Sequence, residues 1–125
     1  MVLERIYFST MILLILHQID AAYWQEWNLF NLPGGVQGYL LFNFAIIPVV
    51  IYGYKQVVTQ SNSAGVYSYF CGSLGVATFL IHACLAAFGA KGFNVPLSVI
   101  TIVLCFVSGL YQILKTRKFF ASEDG

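Results

Sequence analysis

The chain has only two histidines, and one of them, His17, stands three residues before Asp20. A spacing of three puts both side chains on one face of a helix, so the acid can orient the imidazole or share a proton with it. His82 and Asn43 lie in other apolar stretches and can join the pair only across a helix bundle. Such a set supports three kinds of chemistry. It can be a hydrogen-bond network that fixes helix register, a pocket for a ligand or proton, or a metal set of His17, Asp20 and His82 with an open position suited to zinc or iron. Glu26 is the natural fourth ligand, but on an unbroken helix it points away from His17 and lies about 13 Å further along. It joins only if the first helix breaks near Ala21 and Ala22. Otherwise Glu26 is a charge on the wet face of an interfacial segment over residues 23–30. Trp24 and Trp27 are then interface anchors, or an aromatic lid over the cluster.

The composition says what must position these groups. Of 125 residues only 9% are charged, while 59% are hydrophobic and 17% aromatic, a balance that soluble domains do not reach. A net charge of +1 excludes a basic nucleic-acid surface and an acidic solvating tail. Membrane lipid is the expected partner, together with other membrane-borne chains in a homo-oligomer or a larger membrane complex. The three cysteines, Cys71, Cys84 and Cys105, have no C-x-x-C spacing and read as small buried apolar residues.

Crossing a hydrocarbon core of about 30 Å takes about 20 apolar helical residues, and three runs, at about 36–54, 66–88 and 95–114, meet that length. The first apolar run stops at Leu16, too early to span, so its helix is expected to continue through His17, Gln18 and Asp20 and to cover about residues 5–27. A cleaved signal peptide fits poorly, because Glu4 sits beside Arg5 and a cut after Ala21 or Ala22 would put Ile19 or Asp20 where a small residue belongs. Asn31-Leu32-Pro33-Gly34-Gly35, residues 59–65 and residues 89–94 read as connections. Pro96 suits a first helical turn, and Pro48 is expected to kink the second helix.

The expected fold is therefore all-α, one transmembrane domain over residues 1–125 with four helices in an antiparallel up-down bundle. Arg5, Lys55, Lys115, Arg117 and Lys118 fall on one side of it and Lys91 on the other, which puts both termini in the cytoplasm. Small and polar residues recur at steps of three and four on three of the helices, as helix seams in lipid require. Thr10, His17, Asp20, Trp24 and Trp27 mark the first, with Leu13 filling the gap, Cys71, Gly75, Thr78, His82 and Ala86 the third, and Ser98, Thr101, Cys105, Ser108 and Gln112 the fourth. Asn43 shares an inward face with Tyr39, Ile46 and Val50. Counting about 1.5 Å per residue places His17, Asp20, Asn43 and His82 together in the outer half of the membrane.

The run from His17 through Asp20, Ala21, Tyr23, Trp24, Glu26 and Trp27, followed by Pro33-Gly34-Gly35 and Gln37, resembles a family of small bacterial membrane proteins classified as a domain of unknown function. The resemblance covers nearly the whole chain and implies four transmembrane helices and no assigned activity; the expected location is a bacterial inner membrane. A fainter similarity is to the HXXEE-type membrane domain, with Ala21 here in place of its second acid. No nucleophile elbow, P-loop, dinucleotide fingerprint or H-E-x-x-H motif is present in the sequence. The function expected from the residues is retention of a ligand or partner at the intramembrane His/Asp cluster, with Trp24 beside it. The alternatives are an intramembrane enzyme acting on a lipid or isoprenoid, metal-dependent or not, and an accessory subunit of a membrane complex.

Overall fold

The computed structural model describes residues 2–90 and 95–123, all helix, turn or loop. Four helices form, α1 (Val2–Tyr23), α2 (Val36–Val58), α3 (Ala64–Ala87) and α4 (Pro96–Glu123), with a 3₁₀ turn at Glu26–Asn28. Each of the four is long and apolar enough to cross a membrane. Lys91 and residues 92–94 of the last connection, and the final residues Asp124 and Gly125, lie outside the described residues.

Sequential helices run antiparallel. Tyr7 near the start of α1 donates its hydroxyl to the Val50 carbonyl of α2 at 2.7 Å, while Gln18 near the α1 end accepts from Tyr39. The Gly53 backbone of α2 lies against Tyr67 of α3. Ser68 of α3 meets Thr116 of α4 at 2.7 Å, and Phe79 stacks on Phe106 at the other end. The up-down bundle follows, with α1 also antiparallel to α4 through Thr10 and Ser108 at 2.6 Å.

The α3–α4 seam is the closest approach. A Cβ on Gly109 would lie 2.5 Å from the Gly72 carbonyl oxygen, and one on Gly75 would lie 2.6 Å from the Cys105 carbonyl oxygen. Glycine at these three positions lets two backbones touch, which in lipid replaces the hydrophobic drive that water would supply. The expected stripes hold at this seam through Cys71, Gly75, Cys105 and Gln112, all buried, while Ser98 is buried where α4 meets Asp20 of α1 and Ala86, at the end of the third stripe, is exposed. Thr101 turns its hydroxyl back to Leu97 of its own helix instead. Cys84, expected inside, is exposed on α3, because it stands two residues from buried His82 and so faces the opposite side of the helix.

A polar knot ties the seam at the end away from the histidines. Gln112 donates to the Ser68 carbonyl at 2.9 Å, and Thr116 passes its own hydrogen bond to the Gln112 carbonyl or to Ser68. Interhelical hydrogen bonds of this kind are worth about 0.6 kcal/mol on average and up to about 1.7 kcal/mol. Gln112→Ala, which also empties a fully buried site, is expected to cost about 1–2 kcal/mol in a detergent unfolding titration.

Candidate functional site

Helix α1 does not run on to Trp27. It ends at Tyr23, and Gln25 takes a left-handed conformation with φ 52°, which turns the chain back over the bundle and starts the 3₁₀ turn. This break reverses the side on which Glu26 lies. Instead of standing on the wet face of an interfacial segment, Glu26 is only 2% exposed and faces the bundle core. The break falls a little after Ala21 and Ala22, where the sequence would have needed it.

Three residues converge there. Glu26 Oε2 lies 3.0 Å from His82 Nε2, and the His17 and His82 rings meet edge to face with centroids 4.8 Å apart. One ligand atom from each of His17, Glu26 and His82 falls within 4.8 Å of the other two. Both histidines are 4% exposed. The His82 tautomer follows from its other nitrogen, which lies 2.7 Å from the Thr78 carbonyl. A carbonyl only accepts, so His82 Nδ1 carries the hydrogen and donates it. A neutral His82 then presents a lone pair at Nε2 to the Glu26 carboxylate.

The remaining residues singled out by the sequence surround this trio at differing ranges. Asp20 accepts a 2.8 Å hydrogen bond from Ser98 of α4 through Oδ1. It belongs to the environment of the trio and not to the converging ligand atoms, among the described residues. Asn43 donates to Tyr39 of its own helix at 2.9 Å and lines the adjoining cavity. Trp24 is exposed and stacks edge-on against Tyr23, away from the cluster, whereas Trp27 packs on Tyr39 and lines the cavity. Several polar atoms here are buried with no hydrogen-bond partner: His17 Nδ1, Asp20 Oδ2, Glu26 Oε1 and Asn43 Oδ1. Buried polar atoms are paired as a rule, so this group, which the chain's own side chains do not satisfy, requires partners such as water or a bound group.

The cavity beside the trio has a volume of about 250 Å³. It exists because the first half of α2 stands off from the core, its buried residues being Val50, Gly53 and Val57 in the second half. Met11 and Leu14 of α1, Ile46 and Val50 of α2, and Leu74 and Ala77 of α3 form its apolar walls. His17, Glu26, His82, Tyr39 and Asn43 form its polar end, roofed by Trp27, Phe30 and Leu32. Phe42 and Ile81 stand half-exposed at its rim, so it opens sideways between α2 and α3.

Fold and site together define a small multi-pass helical membrane protein with a buried histidine–carboxylate cluster at one end of the bundle. The chain belongs to the DUF6713 family, a family of unknown function, which matches residues 3–119. No curated protein and no solved structure matches it.

Proposed function

We propose that the protein holds an amphiphile of lipid or isoprenoid chemistry inside the membrane, with the chain in the α1–α2–α3 cavity and the polar head at His17, Glu26 and His82. The observation that carries this reading is the cavity's division into apolar walls and one polar end whose buried atoms lack partners. An alkyl or isoprenyl chain gains from the walls by contact alone, while a head with donors and acceptors satisfies the orphaned atoms. The lateral opening faces the hydrocarbon, where such a ligand already resides.

Mass spectrometry of amphiphiles retained by the detergent-purified protein tests this directly. One chemical class should be enriched over the bulk membrane extract. Ala77→Trp, which puts an indole into the cavity wall, should lower its occupancy about tenfold, the equivalent of about 1.4 kcal/mol. A lipid profile identical to the bulk extract, unchanged in Ala77→Trp, overturns the proposal.

A second reading, an intramembrane enzyme on the same class of molecule, is favoured by the 3.0 Å His82–Glu26 contact at the cavity's end, a spacing at which an imidazole and a carboxylate can pass a proton. The membrane is proposed to be a bacterial inner membrane, on the resemblance to small bacterial membrane proteins. Arg5, Lys55, Lys115, Arg117 and Lys118 gather at the end of the bundle away from the cluster, which supports cytoplasmic termini and a site in the outer half. A C-terminal reporter is expected to be active only inside the cell. Activity outside would reverse the orientation.

A further inference from the structure

At the His82–Glu26 contact a neutral imidazole sets its Nε2 lone pair 3.0 Å from a carboxylate oxygen, and two acceptors at that range require a positive charge between them. A proton meets the requirement but engages neither His17 Nδ1 nor Glu26 Oε1, which the chain's own groups leave unpaired. A divalent metal ion meets it with the groups a proton cannot use.

From this geometry, and resting on the reading of the cluster as the cavity's polar end, we infer that His17, Glu26 and His82 bind one divalent transition-metal ion of the zinc or ferrous iron class. Two imidazoles and one carboxylate are a donor set such ions accept, with a further position left for a ligand. Tetrahedral coordination at about 2.0–2.1 Å separates ligand atoms by about 3.3 Å. The Glu26–His82 pair already stands at 3.0 Å, and the trio as a whole lies within 4.8 Å, so side-chain torsions close the remaining gap. The Thr78 carbonyl on His82 Nδ1 is the outer contact that orients a metal-bound imidazole, with Nε2 as the ligating nitrogen. Charge balances as well, since one divalent ion offsets the carboxylates of Glu26 and Asp20 in a medium where a net charge is costly. The open position points into the cavity, where an amphiphile's head would meet the ion.

The test uses the full-length protein in detergent. Metal content is measured by mass spectrometry as purified and after equilibration with equimolar Zn²⁺ or, without oxygen, Fe²⁺. Co²⁺ is the spectroscopic probe, since its visible ligand-field absorption reports low-symmetry nitrogen and oxygen coordination. Wild type is expected to hold about one ion per chain, with zinc or iron identified by which is retained after dialysis. Glu26→Gln keeps shape and hydrogen bonding but not the charge, so it is expected to remain folded and to weaken binding more than about 100-fold, beyond the range of outer-sphere changes. His17→Ala in a second sample should do the same, with folding followed by size exclusion and circular dichroism. Absence of metal and of a cobalt spectrum in wild type overturns the inference, as does equal retention in the variants. If metal is absent while an amphiphile is still enriched, the metal site falls and the cavity's proposed function stands. If both are absent, both fall.

Discussion

Gly109→Leu is expected to prevent the four-helix bundle from forming, and Gly109→Ala to cost about 1–3 kcal/mol, the range for overpacking a filled core. The reason is that the obstructing atom is backbone. A Cβ at residue 109 would stand 2.5 Å from the Gly72 carbonyl oxygen and 3.1 Å from the Val76 nitrogen, neither of which can rotate away. Relief comes only by moving α3 and α4 apart, which also opens the Gly75 contact with Cys105 and the Thr10 side chain at 3.4 Å beyond it. Gly75→Ala should therefore act on the same seam, and the double alanine variant should cost less than the sum of the two. Thermal unfolding in detergent measures the alanine variants, and size exclusion the leucine variant. A monodisperse Gly109→Leu protein with an unchanged melting temperature would show that this seam does not set the helix packing.

The seams were legible in the sequence because lipid imposes simple rules. A span needs length and apolarity, and a helix pair without a hydrophobic drive needs small residues at steps of three and four. Those rules found the four helices and put Gly75, Cys105 and Gln112 inside. They did not find Glu26's place. Continuing α1 to Trp27 gave the span its length, and Tyr23-Trp24-Gln25 holds no Gly or Pro to announce a stop. The chain instead turns at Gln25 in a left-handed conformation uncommon outside Gly, Asn and Asp. One such residue moves a carboxylate from the wet face into the core. The readable signal was indirect: Pro33 and Gly34 force a turn before α2, and the segment between Tyr23 and that turn must return over the bundle end. Asp20 shows the opposite limit. Its position on the inward stripe was legible, but the partners read for it were His17 and His82, whereas its hydrogen bond comes from Ser98 of α4.

Replacing Glu26 should separate the stability of the cluster from its purpose. Glu26→Leu is expected to cost about 3–5 kcal/mol, because it leaves His82 Nε2 against an apolar side chain in a buried site, and His82→Leu should cost a similar amount by stranding the carboxylate. Glu26→Gln should stay within about 1 kcal/mol of wild type, since its amide N–H can donate to the His82 Nε2 lone pair. The double variant, Glu26→Leu with His82→Leu, is expected to be more stable than either single one, because a buried pair replaced on both sides by apolar groups is often neutral. Unfolding free energies of the four proteins in one detergent give the coupling directly. Additive losses would mean that the two residues do not act as a unit and that the 3.0 Å contact contributes nothing on its own. Strong coupling with a stable double variant has a different consequence: a fold that stands without the pair does not need it for stability. The histidine, the carboxylate and the orphaned atoms around them would then be held at that place for what they bind.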